Sequence, residues 1–542
     1  MSDSFPPPGG PDSTAGSEEL LDSHSGDAGA ITSQPTASRS RRTGFIVGGA
    51  GLALAIVGGA AWAAVSFLGA GDQPAEALPA GTLGYLSVNF DPAGEQKLEA
   101  LKALKKFPGL ADKLDFDTAD DVRKHIFDEL QNSGSCEDVD YAADVEPWLG
   151  NRMAVVAVDA GEDHPSPVVV VETTDTDKAQ AGLQKLATCD ETAEEFGFVF
   201  RGDWALVAET KEIADKVAAA TESGTLADDA DFQKWVDRAG DSGIMTMYAA
   251  PEAGEAIRDA IEEGMASEFA MLPDDALDQL DSFTGAGGIV RFNNGSLEVE
   301  FAGGYDPKAS GLDFTSTAGG EVVTSLPAST AVALGFAVPD GYFDQLLDAF
   351  GMGMMGSGMS ADDVIDEVER QTGLEFPEDF DKLTGDALAL AISNDLDVDS
   401  VMGSGDPSDL SVGIKVKGNP ADIESVLEKI RAQLGAQASL LESASEGDFV
   451  AIGPSADWND ELKADGGLGD SATFKEVVSH ADQASAILYL DFDADDNWLV
   501  EALEGAGAPD EVVDNVEPLA AFGMSSWLDG DVSHVVLRVT TD

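Results

Sequence analysis

The chain has 542 residues with 102 acidic and 30 basic side chains, a formal net charge of −72. That sign excludes nucleic acid as a partner, since neutralising phosphates takes a basic surface, and it disfavours bare anionic lipid for the same reason. The length exceeds one ordinary domain, and two cysteines are too few for a disulfide-built scaffold.

In chain order, residues 1–43 are rich in Pro, Gly, Ser and acidic side chains and predict a disordered tail, because they hold too little apolar surface to offset the entropy of ordering. Gly44 to Leu68 contains no charged residue. At about 1.5 Å per residue a helix of that length crosses a hydrocarbon core of about 30 Å. Arg39, Arg41 and Arg42 precede it, whereas Asp72 and Glu76 follow. The positive-inside rule therefore predicts a cytoplasmic N-terminus, with everything beyond Gly69 outside the membrane. A cleaved export signal is the rival; the run exceeds the usual core of about 7–15 residues and no cysteine follows to take a lipid, so a retained single-pass anchor at the cell membrane is expected.

After a linker at 69–77, the chain repeats a pattern. Leu78-Pro79-Ala80-Gly81-Thr82 opens one half and Leu326-Pro327-Ala328-Ser329-Thr330 the other. Trp148 to Val155 and Leu383 to Leu390 each lead into a strand, and helical patterns follow over 177–186 and 421–430. Phe232 to Val236 and Phe474 to Val478 then precede strands at 244–249 and 486–492. Each half closes on a hairpin. In the first, Asn293-Asn294-Gly295-Ser296 lies between alternating runs, a strong turn signal, and places Val290, Phe292, Leu297, Val299 and Phe301 on one face. The second turns at Asp529-Gly530-Asp531. The expectation is an α+β fold of two related halves, an internal duplication over 78–305 and 326–542 joined by a flexible stretch at 306–325. Mostly antiparallel sheets are expected, with helices packed across one face.

Chemical motifs are sparse. His24, His125, His164, His480 and His534 show no zinc spacing, and there is neither a nucleophile elbow nor a P-loop. Gly351 to Gly356 reads G-x-G-x-x-G but follows a helical pattern from Tyr342 to Phe350, where dinucleotide binding needs a strand. Asp395, Asp397, Asp399 and Asp406 depart from a calcium loop, with Ser400 in place of Gly and no bidentate Glu at the end. No cofactor, metal or catalytic residue is assigned. Cys136 and Cys189, both beyond the apolar run, are candidates for a disulfide. Lys97, Lys102, Lys105 and Lys106 gather on a short helix striped by Leu98, Leu101 and Leu104. They read either as a solvated face or as a contact for an anionic partner in the envelope.

At this helix a resemblance emerges. Thr82-Leu83-Gly84-Tyr85-Leu86, Asp91-Pro92-Ala93-Gly94-Glu95-Gln96-Lys97 and Lys106-Phe107-Pro108 resemble the opening of an uncharacterised family, a domain of unknown function in actinobacterial single-pass membrane proteins with a long extracytoplasmic region. The resemblance implies the same topology and carries no catalytic residues. The second half departs from it, with Val338-Pro339-Asp340-Gly341 at the corresponding place. The function expected is non-enzymatic binding or scaffolding of a protein or polymer in the cell envelope. An envelope hydrolase using Asp and Glu and a carrier of an apolar small molecule between the halves are the alternatives.

Overall fold

The computed structural model describes residues 73–90, 138–162, 164–188, 196–262, 282–293, 295–306, 313–353, 361–394, 410–494, 498–505 and 507–541, with isolated residues between 96 and 136 and at 280 and 408. The expected tail, the apolar run at 44–68 and the aspartates at 395–406 lie outside these residues. Among the described residues no helix is long and apolar enough to cross a membrane.

The first half begins with a 3-10 turn, Pro74–Ala77. It continues through β1 (Thr82–Asn89), β2 (Leu149–Val158), β3 (Ser166–Thr173), α1 (Thr176–Ala187), β4 (Gly197–Arg201), β5 (Trp204–Ala208), α2 (Lys211–Ala220), α3 (Ala230–Arg238), β6 (Met245–Ala249), α4 (Ala253–Glu262), β7 (Ala286–Asn293) and β8 (Ser296–Gly304). The second runs α5 (Ala318–Thr324), β9 (Thr330–Ala337), α6 (Tyr342–Gly353), α7 (Ala361–Thr372), α8 (Glu378–Thr384), β10 (Ala387–Ser393), β11 (Val412–Lys417), α9 (Pro420–Leu434), β12 (Glu442–Glu446) and β13 (Phe449–Gly453). It ends with α10 (Ala456–Leu462), α11 (Ala472–Val477), β14 (Ala484–Asp491), α12 (Trp498–Gly505), α13 (Asp510–Val516), β15 (Leu519–Asp529) and β16 (Val532–Thr541).

Local chemistry sets the boundaries. Asp175, Thr210 and Asp229 each accept a backbone N–H at the start of α1, α2 and α3, and Asn419, Ser455 and Ser471 do the same for α9, α10 and α11. Each such cap satisfies a donor that the first helical turn leaves without a partner. The two terminal hairpins pair Asn293 with Ser296 and Asp529 with Val532. Gly295 and Gly530 hold positive φ of 91° and 66° in their turns, a conformation glycine adopts without steric cost.

All sixteen strands form one antiparallel sheet in the order β4-β5-β3-β2-β1-β6-β7-β8-β16-β15-β14-β9-β10-β11-β13-β12. Read inward from either end, each half gives the same eight-strand order, so the halves meet edge to edge through β8 and β16. Their register runs from Val532 opposite Gly304 to Val539 opposite Leu297, and at its centre Glu300 faces Val536. The hairpin turns place Val536 at the same position in the second half as Glu300 in the first. The ladder is therefore centred on a pair of equivalent positions 236 residues apart, and a local two-fold axis passes between them. One sheet, not several, is the outcome, and the joining of the two terminal strands removes both as exposed edges.

Helices cover both faces, in place of the single face expected. In the first half α2 and α3 bury Ile213, Ala214, Val217 and Trp235 on the side that carries Val156, Val168 and Ile289. Helix α1 buries Ala179 and Leu183 on the opposite side, over Val171 and Val207. The second half repeats this, with α5, α10 and α11 on one face and α9 on the other. The stretch expected to be a flexible joint ends differently as well. Ala318–Thr324 is helix α5, and its Gly319 and Gly320 are buried so tightly that an added Cβ would lie 2.0 Å from the carbonyls of Ser485 and Ala481. The residues at 74–77, placed in the first linker, likewise contribute Ala75 and Ala77 to the core.

On the face opposite α5 and α11, cross-strand pairing lines up Leu390, Leu334, Leu488, Met524, Leu537, Val299 and Val290 on consecutive strands across the junction. Opposed residues of an antiparallel pair share a face, so this row is a continuous apolar band. Leu334 in this row and Phe301 beside it remain 41% and 40% exposed. The placement of Val290 with Val299 and of Phe292 with Leu297 matches the sequence expectation.

The covered face of the junction is charged. Arg291 on β7 contacts both Glu298 and Glu300, and Arg538 on β16 contacts Glu298 from the other half. Burial works to raise the Glu300 carboxyl, but the neighbouring His534 and Arg291 outweigh it and hold the group below its ordinary range. His534 stacks on Trp527, with ring centroids 5.0 Å apart, and Trp527 stacks on His480 at 4.2 Å.

Candidate functional site

The candidate site is a cleft of about 710 Å³ in the first half, where the starts of β1, α3 and α4 converge with the end of β6 and the β2–β3 connection. Its volume falls within the range typical of small-molecule sites, about 300–1,000 Å³. Pro79, Gly81, Tyr248 and Ala250 are among the residues that line it. Seven carboxylates line it: Asp159 and Glu162 from the β2–β3 connection, Asp229 and Asp231 from the start of α3, Glu252 just before α4, and Glu255 and Asp259 on α4.

Some of these acids are already engaged. Asp229 accepts the backbone N–H groups of Asp231 and Phe232 as the cap of α3, Asp159 accepts that of Gly161 at 2.8 Å, and Glu162 pairs with Lys216 at 2.6 Å. The carboxylates are distributed over separate segments. Among the described residues no three His, Cys, Asp or Glu side chains come together as a metal-holding group.

Tyr248 is the most constrained polar side chain of the cleft. It is 5% exposed, and its ring packs edge-on against Phe232 at 5.2 Å, which packs in turn against Tyr85 at 5.4 Å. Burial, reinforced by the negative charges of Asp229, Asp231 and Glu252, pushes its hydroxyl well above the ordinary phenol range. The group stays neutral and so keeps both a donor and an acceptor. No hydrogen-bond partner for it occurs among the described residues.

The second half holds a counterpart. Pro79 and Pro327 form equivalent isolated bridges. Tyr248 lies opposite Tyr85, six residues beyond Pro79, and Tyr489 lies opposite Ala333, six residues beyond Pro327. Tyr489 packs on Phe474 at 5.2 Å, as Tyr248 packs on Phe232. There, however, the hydroxyl donates to Asp491 at 3.2 Å. Burial holds the Asp491 carboxyl above its ordinary value, and Trp498 on α12 donates to the Asp491 backbone carbonyl at 2.7 Å. Two residues beyond Tyr248 the first half has Ala250 instead.

The chain's residues 46–429 match the model of a family described only as a protein of unknown function, DUF3352. The chain belongs to that family. No curated protein and no solved structure matches it. The DUF3352 match stops inside α9, whereas the sheet continues through β12 to β16. The strand that joins the halves therefore lies beyond the matched segment, while the cleft lies wholly within it.

The residues singled out by sequence fare unevenly. Cys136 carries its sulfur in a disulfide, and Cys189 lies outside the described residues. Of the four lysines, two are described. Lys106 is committed to β16, donating to the Thr541 carbonyl at 3.0 Å and to its hydroxyl at 2.9 Å. Lys102 is exposed, and Lys97 and Lys105 lie outside the described residues. Neighbouring Gln96 exchanges hydrogen bonds with the backbone of Phe292, so Gln96 and Lys106 are tied to the sheet at β7 and β16. Sequence reasoning missed Tyr248 and the acids around it. The signal was available: setting the matching strands side by side puts Ala250 against Asp491.

Proposed function

We propose that this chain is a non-enzymatic binding protein of the cell envelope. It is held by a single transmembrane helix at 44–68 with its N-terminus in the cytoplasm, and its outer region is an internal duplication that has kept one architecture while its halves diverged. The observation that carries the binding reading is the first-half cleft, a preformed cavity on a rigid sheet with an unused hydroxyl in its lining. The repeated strand order and the centring of the β8–β16 ladder on equivalent positions support duplication. The halves meet through a main-chain ladder and not across a crevice, which favours a site within one half over a carrier site between them.

Native mass spectrometry of the full-length protein, purified from its own cells, tests the reading. Non-covalent mass that is lost on denaturation is expected. A bare chain that instead turns over glycosidic or ester substrates, and stops when cleft carboxylates are replaced, would establish the hydrolase alternative.

Topology and the Cys136–Cys189 pairing yield to one labelling experiment. In intact cells a membrane-impermeant maleimide is expected to label the chain only after treatment with an impermeant reductant. Labelling without reduction would remove the disulfide, and no labelling after reduction would remove the extracytoplasmic placement.

A further inference from the structure

We propose that the first-half cleft binds an organic cation, a primary ammonium or guanidinium group seated between the Tyr248 hydroxyl and the carboxylates of Asp231 and Glu252. The inference rests on the binding reading above and gives it a chemistry.

Three observations carry it. The first is the contrast between the halves. The same Phe-Tyr pair lies at the same place in each, but the second half answers the tyrosine hydroxyl with its own Asp491, and Trp498 holds that residue in place. The first half has Ala250 there and leaves the hydroxyl facing a cavity. Tyr489 is committed as a donor to Asp491, whereas the Tyr248 oxygen, lining the cavity, is open to accept an N–H group from a ligand.

The second observation is the sign of the site. Tyr248 lies within the electrostatic reach of Asp229, Asp231 and Glu252, and the wall beyond adds Glu255 and Asp259. Repulsion excludes an anionic ligand, whereas a cation relieves the mutual repulsion of these acids as it docks. An ammonium or guanidinium donates N–H groups to the tyrosine oxygen and the carboxylates alike.

The third is geometry. Carboxylates spread over separate segments, with no set of three brought together, cannot surround a single small metal ion at coordination distance. They suit an extended cation carrying several charges. Such a group occurs free, as a polyamine, or on a lysine- or arginine-containing peptide. Both offer the same chemistry.

The test is calorimetric titration of the purified full-length protein with spermidine, with tetralysine and with calcium chloride, at low ionic strength and again near 0.15 M salt, where diffuse attraction is screened within about 8 Å. One saturable site for spermidine or tetralysine is expected, surviving the higher salt and not displaced by equimolar calcium. Saturation by spermidine alone identifies a free polyamine, and by tetralysine alone a basic peptide. Tyr248→Phe is expected to weaken binding about ten-fold, the scale of one hydrogen bond to a charged group. Asp231→Asn with Glu252→Gln is expected to weaken it further. Tyr489→Phe, the matching change in the second half, is expected to leave it unchanged, and equal melting temperatures check that each variant folds.

Multi-site uptake that vanishes at the higher salt, or equal binding by Tyr248→Phe and Tyr489→Phe, would reduce the effect to counterion attraction and overturn the proposal. If that happens while native mass spectrometry still finds a released ligand, the binding reading stands and only the cationic chemistry falls.

Discussion

Replacing Glu298 by Ala is expected to destabilise the junction of the two halves by about 3–5 kcal/mol, the cost of removing one partner from a buried ion pair. Glu298 is 0% exposed. It is held by Arg291 from the first half and Arg538 from the second, with Asn293 donating to it at 3.3 Å. Truncation leaves Arg538 without this acceptor, and Arg291 with Glu300 and the backbone carbonyls of Ala239 and Asp241. The pairs themselves add little net stability, because taking both charges out of water offsets most of their attraction. The penalty arises from the charge left behind. Glu298→Leu combined with Arg538→Leu is therefore expected to recover much of what Glu298→Ala loses. The readout is amide hydrogen exchange along β8 and β16, since a chain of this size need not unfold in one step. Unchanged protection in Glu298→Ala, or a double variant no better than the single, would show that the network does not hold the junction.

The elements of this fold were readable in the sequence because their signals are local. The Asn-Gly turn, the alternation on either side of it and the helical patterns over 177–186 and 421–430 are each decided within a few residues, and they place β7, β8, α1 and α9 correctly. The union of the halves was not readable. β8 and β16 are amphipathic strands closing their own hairpins, and nothing within Ser296–Gly304 marks its outer edge as the partner of Val532–Thr541. Edge pairing between distant segments leaves no local pattern, so an edge facing solvent and an edge facing its counterpart look alike. The cleft escaped for a related reason. In a chain this acidic, carboxylates close in sequence carry no signal, and what distinguishes Tyr248 is a missing partner, seen only when the Tyr489–Asp491 pair of the second half is set beside it.

Lys415 shows the same limit, and its behaviour with pH gives the second large effect. In Gly413-Ile414-Lys415-Val416-Lys417 the alternation reads as a strand with solvated lysines. Lys415 is instead 0% exposed, with its ammonium donating to the carbonyls of Ser325 at 2.8 Å and Ala464 at 2.7 Å and lying 4.5 Å from the centre of the Phe449 ring. The acceptors follow α5 and α10, so the lysine ties two helix ends to the sheet, and Lys415→Ala is expected to cost about 3 kcal/mol or more through lost packing and unanswered carbonyls. Among the described residues no carboxylate touches the ammonium. Burial pushes its pKa down from 10.5 to about 8, against the weaker upward pull of Asp465 and Glu446. Between those values the unfolded chain holds a proton on Lys415 that the folded chain has released, so stability rises with pH across the window. Lys415→Met removes the titration while keeping most of the volume. The stability of the natural chain relative to Lys415→Met is thus expected to be level below about pH 7.5 and to grow by about 3 kcal/mol towards pH 10.5. Comparison with the variant cancels the growing repulsion of the other acids, and denaturant midpoints at fixed ionic strength measure it. A difference that stays level or falls through the window would mean that Lys415 keeps an ordinary proton affinity, and that the two carbonyls and the aromatic face compensate fully for its burial.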